Sequence, residues 1–209
     1  MRILLFLLIT TLPFAGSAQQ KTAFQDGDIL FQKLPCGGLC DAIIATTPCA
    51  EGRRFNHCGM VKIVDGKSFV IEAIGSQVQQ TPLQKFLARD TAATISAGRP
   101  HWKNKEEGKQ AAIQAATFIG RPYDDAFLPG DTALYCSELV WEVSKRDRKK
   151  LFQLEPMTFK EGGATHPDWV SYYKALGVAP PEGVLGINPC GIANSPELDF
   201  FVVGKETQK

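Results

Sequence analysis

The chain has 209 residues, with 23 Lys and Arg side chains against 22 Asp and Glu, and a formal net charge of +1. This near neutrality argues against a nucleic-acid partner, which would require a concentrated basic surface. The length allows one domain with a substantial core. No internal repeat, low-complexity linker or second long apolar segment is visible, so we expect no further domain and no stable insertion in a membrane.

The first 18 residues have the pattern of a secretory signal peptide. Met1 and Arg2 form a charged start, residues 3–9 are all apolar, and small residues at 16–18 precede the expected cut. Seven apolar residues are too few to span a bilayer, which needs roughly 20, so a retained anchor is the less favoured interpretation. We predict that residues 19–209 form a single exported domain in the periplasm or cell envelope.

In chain order, the local patterns predict an α+β domain in which an antiparallel sheet is packed with helices. Strands are expected at residues 28–31, 58–64, 67–74, 77–80, 94–97 and 200–203, and helices at residues 41–46, 81–87, 106–119 and 135–145. Thr81 should cap the second helix, with Pro82 at its first position. The basic run at 145–150 is interpreted as the solvated end of the last helix, favoured there by the helix dipole; an anion-binding site is the alternative.

The segments at residues 58–64 and 67–74 predict a hairpin, because Asp65-Gly66 between them is a strong signal for a two-residue turn. Such a turn fixes the register, so Gly59 should face Glu72. His57 and Glu72 then project from the same face as diagonal neighbours, within reach of each other. A slip of one residue would move Glu72 to the other face.

Cys136 lies in the pentad Leu134-Tyr135-Cys136-Ser137-Glu138, which is followed by apolar residues and predicts the first turn of a helix. Unpaired backbone N–H groups and the helix dipole favour a thiolate at this position. A nearby imidazolium lowers the pKa of such a thiol further below its ordinary value of ~8.5. The sequence therefore offers an activated cysteine nucleophile, provided that His57 reaches it in space.

Several segments together resemble a known family. They are Gly27-Asp28-Ile29-Leu30-Phe31, His57-Cys58-Gly59-Met60-Val61, Val70-Ile71-Glu72-Ala73, Arg121-Pro122-Tyr123-Asp124, Tyr135-Cys136-Ser137-Glu138-Leu139-Val140 and Ala193-Asn194-Ser195-Pro196-Glu197-Leu198. This set resembles the YiiX/YebB-like group, the circularly permuted branch of the NlpC/P60 papain-like cysteine hydrolases. The order is informative, because His57 and Glu72 precede Cys136, as in the permuted branch.

The resemblance implies a circularly permuted NlpC/P60 (papain-like) fold and assigns roles to individual residues. Cys136 would be the nucleophile, His57 the base and Glu72 the residue that orients the imidazole. Tyr123 lies on the family's Pro-Tyr-Asp motif and is predicted to contact substrate or the oxyanion, and Tyr135 is a second predicted contact. The inserted stretch at residues 47–54 is expected to alter the entrance to the site.

These residues predict a cysteine hydrolase that cleaves an amide bond through an acyl-enzyme, without a metal or other cofactor. The first choice of substrate is a small peptide or cell-wall stem peptide. A lipid or N-acyl amide, cleaved or used for acyl transfer, is the second. A non-catalytic module of the same fold that binds a peptide or lipid is the third. Aromatic stretches at residues 127–129 and 169–173 are candidates for an apolar groove, although core packing is the simpler interpretation.

Six cysteines in an exported chain favour at least one disulfide. If Cys136 is catalytic, the remaining thiols are those of Cys36, Cys40, Cys49, Cys58 and Cys190. Cys36 and Cys40 are close enough in sequence to bridge locally, or either one to reach Cys49 or Cys190, and the sequence does not choose between these pairings. A zinc site built from Cys36, Cys40, His57 and Cys58 is the competing interpretation, but it lacks the Cys-x-x-Cys spacing of structural zinc sites.

Overall fold

The structure is a computed structural model that describes residues 24–128, 130 and 132–205. The predicted signal peptide lies outside the described residues, as do positions 129 and 131. The helices are α1 Gly38–Thr46, α2 Leu83–Leu87, α3 Lys105–Thr117, α4 Cys136–Val143, α5 Pro167–Leu176 and α6 Pro189–Ala193, with a short 3-10 helix at Ala50–Gly52. Within this described part, none of the helices combines the length and apolarity that crossing a bilayer requires.

In the described part of the chain, one antiparallel sheet has six strands: β1 Ile29–Gln32, β2 His57–Val64, β3 Lys67–Ile74, β4 Gln77–Pro82, β5 Thr94–Pro100 and β12 Leu198–Gly204. Their order across the sheet is β12-β5-β1-β2-β3-β4. Short ribbons pair β6 Lys145–Arg146 with β7 Lys149–Lys150, β8 Glu155–Pro156 with β11 Leu185–Gly186, and β9 Lys160–Glu161 with β10 Ala164–Thr165. The predicted α+β class, an antiparallel sheet packed with helices, is confirmed.

The hairpin of β2 and β3 has the predicted register. Val64 pairs with Lys67 at the turn, and the ladder continues to Met60 opposite Ile71. Asp65 and Gly66 have φ values of 49° and 74°, the left-handed conformation that a two-residue turn of this kind requires at both positions. On its other side β2 pairs with β1, where Gln32 lies opposite His57.

Both faces of the sheet are covered. On one face Val61 and Val70 pack with Leu30 and with Phe86 of α2. On the other face Met60 and Ile71 belong to the larger core, to which α3 and α4 contribute Ala111, Ala112, Ala115, Leu139, Val140 and Val143. The strand that begins with His57 is therefore held between α2 on one side and α4 on the other.

Two local predictions are wrong. Thr81 and Pro82 end strand β4, and α2 begins only at Leu83, because cross-strand pairing with Val70 and Phe69 extends the sheet through both residues. The basic run is also not the end of a helix. α4 stops at Val143, and the run forms the ribbon of β6 and β7, in which Lys150 binds Glu142 and Arg146 binds Glu197.

Four of the six cysteines form disulfides that the sequence left open. Cys36 pairs with Cys40, four residues away, and Cys49 pairs with Cys190 across a separation of 141 residues. The thiols of Cys58 and Cys136 are free and buried. Cys36 and Cys40, two of the four ligands of the alternative zinc site, are thus bonded to each other instead.

The two disulfides should differ in their contribution to stability. In the chain-entropy model the long-range bond restricts the unfolded chain more strongly, so replacing Cys49 and Cys190 together by alanine should lower the free energy of unfolding by about 5 kcal/mol. The matched replacement of Cys36 and Cys40 should cost about 2 kcal/mol. Urea unfolding of both double variants, without reductant, measures the difference. Equal losses would contradict this account.

Candidate active site

A short hydrogen bond joins the first residue of β2 to the middle of β3. His57 Nε2 lies 2.6 Å from Glu72 Oε2, and both side chains are buried. Gly59 makes the approach of the strands possible. A Cβ atom at that position would lie 2.6 Å from Val70 Cγ1 and 3.1 Å from Glu72 Cβ. The structure thus brings together the pair that the hairpin register places on one face.

The Glu72 carboxylate has a second partner, which the sequence analysis did not identify. Arg89 Nη2 lies 2.7 Å from both Glu72 Oε1 and Glu72 Oε2. Arg89 follows α2, and its guanidinium lies over the Phe86 ring at 4.9 Å. The hydroxyl of Thr81, on the neighbouring strand β4, also hydrogen-bonds to this carboxylate. Glu72 is therefore held from three sides.

Cys136 lies in the first turn of α4, as predicted. It is the first residue of that helix, and Tyr135, where the sequence predicts the helix to begin, is the N-cap. The Glu138 carboxylate accepts hydrogen bonds from the backbone N–H groups of Tyr135 and Gly130. A Glu at the third helical position that bonds back to the N-cap N–H is one half of a capping box. This local arrangement begins the helix at Cys136, so the thiol belongs to the first turn of α4.

Cys136 is the third member of a series of contacts that also includes His57 and Glu72. Its thiol hydrogen-bonds to the ring of His57. Since Nε2 of that ring faces Glu72, the nitrogen that faces the thiol is Nδ1. The structure therefore brings the three predicted residues together in the order thiol, imidazole and carboxylate, although they lie on three different elements.

The electrostatics of this series favour an ion pair. Burial disfavours the imidazolium, but the hydrogen bonds to Cys136 and Glu72 raise the pKa of His57 to about 9. Hydrogen bonds from Cys58 and His57 outweigh burial and hold the pKa of Cys136 well below its ordinary value. Burial raises the pKa of Glu72, whereas the bonds to His57, Thr81 and Arg89 lower it, with a net decrease. The two pKa shifts therefore favour a Cys136 thiolate paired with a His57 imidazolium.

Cys58 is a second thiol at this site. It follows His57 in β2, is fully buried, and donates to Cys136 from both its thiol and its backbone N–H. Burial and the neighbouring Cys136 raise the pKa of Cys58. Cys58 thus remains a protonated donor next to the nucleophile.

A cleft of about 480 Å³ opens beside Cys136. Its walls are mostly apolar and aromatic and include Ile43, Phe127, Met157, Phe159, Trp169 and Ile187. Thr47 and Pro48, from the inserted stretch, also line it, as expected for the entrance. Phe127 and Trp169 pack against each other in the core, with ring centroids 5.7 Å apart, so these aromatic residues serve as both core and wall.

Tyr123 and Tyr135 both line the cleft, but they differ in their contacts. The Tyr135 hydroxyl accepts a hydrogen bond from the backbone N–H of Ile187 at 3.2 Å, so it joins α4 to the opposite wall. Burial, with the charge of Cys136 nearby, raises the pKa of Tyr123 well above its ordinary value. The Tyr123 hydroxyl thus remains a proton donor on the nucleophile's side of the cleft.

The chain's other two histidines, His101 and His166, and the nearby Asp124 lie apart from this series. His101 is half-exposed and pairs with Asp199, and His166 is the N-cap of α5. Asp124 accepts the backbone N–H of Ala126 as part of the loop that precedes α4. Among the described residues, His, Cys, Asp and Glu side chains form no group of three arranged to hold a metal ion.

Comparison with known proteins places this geometry in context. The model of a family described as permuted papain-like amidase enzymes, YaeF/YiiX, C92 family, matches residues 23–202. The uncharacterized protein YiiX of Escherichia coli (strain K12) is 33% identical over 143 residues, which is 68% of this chain and 65% of that protein. The chain thus spans slightly less than two thirds of this curated relative.

A solved structure has a similar fold. It is described as the metalloprotein YiiX from Escherichia coli O157:H7, and it superposes with a TM-score of 0.72 at 25% sequence identity. The match covers 87% of this chain and 97% of that one.

The ion pair predicts that Cys136 reacts as a thiolate at a pH where ordinary thiols, with a pKa of ~8.5, are protonated. Iodoacetamide should alkylate Cys136 at pH 6 much faster than a model thiol. His57→Ala should move the midpoint of this reaction upward, because the imidazolium no longer stabilises the thiolate. Peptide mass spectrometry, which separates Cys136 from Cys58, measures the rates. A wild-type midpoint near 8.5, or an equal shift in the control His101→Ala, would be incompatible with the ion pair.

Proposed function

Because this chain belongs to the permuted papain-like amidase family of YaeF and YiiX, we propose that it hydrolyses an amide bond through a triad of Cys136, His57 and Glu72. The class of enzyme follows from the family, which consists of papain-like cysteine amidases and peptidases. The observation that carries the triad is the continuous series of hydrogen bonds from Cys136 through His57 to Glu72.

Each residue has a distinct part in the proposed mechanism. The Cys136 thiolate attacks the carbonyl carbon, and His57 gives its Nδ1 proton to the leaving amine. The neutral imidazole then takes a proton from water, which attacks the thioester and releases the acid. Throughout, Glu72 accepts the Nε2–H of His57, which fixes the ring orientation and keeps Nδ1 facing the sulfur.

The start of α4 is the proposed oxyanion site. The backbone N–H of Cys136 belongs to the first turn of the helix, where N–H groups have no intrahelical acceptor. Such a donor, together with the helix dipole, stabilises an oxyanion that forms on the attacked carbonyl. The Tyr123 hydroxyl, which lines the same cleft, is the proposed second donor.

The cleft supports one substrate class more than another. Among the described residues that line it, none is Lys or Arg, and Glu155 is the one Asp or Glu residue. A cell-wall stem peptide carries several carboxylates, and such groups are bound most often by basic side chains. The apolar and aromatic walls are better suited to an uncharged peptide segment or to the acyl group of an N-acyl amide. We therefore keep the peptide amidase as the general proposal and the N-acyl amidase as a specific second candidate.

A metal ion has no suitable place in this mechanism. One structural relative is described as a metalloprotein, but here the donor atoms around the nucleophile already have partners. His57 Nε2 binds Glu72, and both oxygens of Glu72 bind Arg89. Away from the nucleophile's contacts, Cys36 and Cys40, two members of the alternative zinc set, are joined in a disulfide. Because the donor set does not fit, no step of the mechanism is assigned to a metal.

Export to the periplasm or cell envelope is part of the proposal. The signal-peptide pattern of the first 18 residues supports it. The two disulfides support it independently, because disulfides form and persist mainly in oxidising compartments.

Replacing the nucleophile should abolish turnover, and replacing the base should slow it strongly. The purified protein is incubated with a stem tripeptide and, separately, with a long-chain N-acyl amino acid, and the products are identified by mass spectrometry. Cys136→Ala should remove hydrolysis, and His57→Ala should lower its rate by at least about 100-fold, since a positioned base contributes about 10²–10⁴-fold. His101→Ala, the matched control, should retain the wild-type rate. Turnover that persists in Cys136→Ala would refute the proposed function.

A further inference from the structure

Arg89 stands out among the charged residues that the triad does not use. One nitrogen of its guanidinium contacts both oxygens of Glu72 at 2.7 Å, and the Glu72 side chain is completely inaccessible to solvent. Phe86 lies between the two partners of this carboxylate, with its ring 6.0 Å from the His57 ring and 4.9 Å from the guanidinium carbon of Arg89. Arg89 thus approaches the carboxylate from the side of α2, opposite to the nucleophile's helix.

The end of α2 is itself fixed to the strand next to His57. The side-chain amide of Gln32 donates to the Phe86 carbonyl oxygen at 2.8 Å, and Gln32 pairs with His57 across β1 and β2. The N–H of Arg89 donates to the same Phe86 carbonyl oxygen at 3.3 Å. The backbone from which Arg89 extends is therefore tied to the strand that carries the base.

We propose that Arg89 is a positioning residue of the active site, which holds Glu72 ionised and correctly oriented in the states of the reaction where His57 is neutral. The inference rests on the proposed function and concerns the same site. It follows from the charges that Cys136, His57, Glu72 and Arg89 carry in each state of the reaction. In the resting enzyme the Cys136 thiolate and Glu72 carry two negative charges, and His57 and Arg89 carry two positive ones.

In the acyl-enzyme this balance depends on Arg89. Cys136 is then an uncharged thioester, and His57 has given its proton to the leaving amine. Glu72 keeps its negative charge in a site closed to water, where an unpaired carboxylate is strongly disfavoured. Arg89, which is always charged, compensates that charge. Without Arg89, either Glu72 would take up a proton, which would make His57 a weaker base, or His57 would stay protonated to compensate Glu72 and could not accept the proton of water.

The consequence is specific to one half of the reaction. Deacylation requires a neutral His57 next to an ionised Glu72, whereas acylation starts from the imidazolium, which compensates Glu72 by itself. Loss of Arg89 should therefore slow deacylation more than acylation. Removing a nearby positive charge also favours protonated forms, so the pH dependence of deacylation should move upward.

The ionisable groups that face this site belong to several elements, and all of them enter the pH dependence. Among the described residues they are His57 and Cys58 of β2, Glu72 of β3, Arg89 after α2, Tyr123 and Tyr135 before α4, and Cys136 of α4. Arg89 can be replaced without altering any of the other six. The shift that follows its replacement therefore reports the contribution of its charge.

The test uses p-nitrophenyl acetate, an activated ester that separates the two halves of the reaction. The burst of p-nitrophenol measures acylation of Cys136, and the steady state measures deacylation. In Arg89→Met the steady-state rate at pH 7 should fall by about 100-fold and the burst rate by clearly less. The rising limb of the steady-state pH profile should move upward by about one unit. Arg89→Lys, which keeps the charge but replaces the planar guanidinium with an ammonium group, should show a lower rate with the pH midpoint of the wild type.

Arg99 provides a matched control. It also pairs a half-exposed guanidinium with a fully buried carboxylate, that of Asp28, through bonds of 2.7 and 2.8 Å. Asp28 lies four residues before Gln32, about 13 Å along the strand from the position opposite His57. Arg99→Met should therefore reduce thermal stability but leave the pH profile and the ratio of burst to steady-state rates at their wild-type values.

Guanidinium ion added to Arg89→Ala provides a further readout, because the Arg89 side chain is 27% exposed and its site opens to solvent. Added guanidinium should restore part of the steady-state rate of Arg89→Ala and none of that of Arg99→Ala. If Arg89→Met does not fold, Arg89→Lys and the guanidinium experiment decide the question.

The possible failures are distinguishable. A wild-type protein with no burst that depends on Cys136 would refute the proposed function. Suppose that the wild-type protein shows a burst, but Arg89→Met loses both phases equally and keeps the wild-type pH profile, and Arg89→Ala does not respond to guanidinium. That result would overturn the role of Arg89 and leave the proposed triad intact.

Discussion

The hydrogen bond between His57 Nε2 and Glu72 Oε2 is the interaction on which the rest of the site depends. It directs the other nitrogen of the ring to the sulfur of Cys136 and supplies the negative charge that favours an imidazolium. A buried carboxylate is unfavourable by itself, so this bond in turn requires the hydroxyl of Thr81 and the guanidinium of Arg89. The fold positions four elements around one carboxyl group: β2, β3, β4 and the end of α2.

The partners of the proposed base, His57, lie on opposite sides of the sheet. Glu72 and the α2 region meet His57 on one side, whereas Cys136 and Cys58 belong to the larger core on the other. His57 is at the first position of β2, beyond the last registered pair of the β2 and β3 ladder, at Met60 and Ile71. At this end of the strand its ring has access to both sides. A histidine placed further into the ladder would be confined to one face, so the end of the strand is a functional position.

Local chemistry made part of this arrangement predictable. The Asp65-Gly66 turn fixes the hairpin register, and the residues around Cys136 fix the helix start, because both depend on neighbours within a few positions. Arg89 and the Cys49–Cys190 disulfide depend instead on how distant elements dock, which no local pattern encodes. The basic run at 145–150 was misassigned because charge alone does not distinguish a helix end from a ribbon whose cations bind Glu142 and Glu197. Thr81 and Pro82 suit a helix start, but strand pairing outweighs that preference.

The protonation state of His57 tests the central claim most directly. The account requires an imidazolium at pH 7, with both ring nitrogens protonated, since Glu72 and the Cys136 thiolate raise the pKa of His57 to about 9. Nitrogen-15 NMR of histidine-labelled protein reports this state, and His57→Gln identifies the signal. We predict two protonated nitrogens at pH 7 that lose one proton near pH 9, and a lower midpoint in Cys136→Ala. A neutral ring at pH 7 in the wild-type protein would contradict the account.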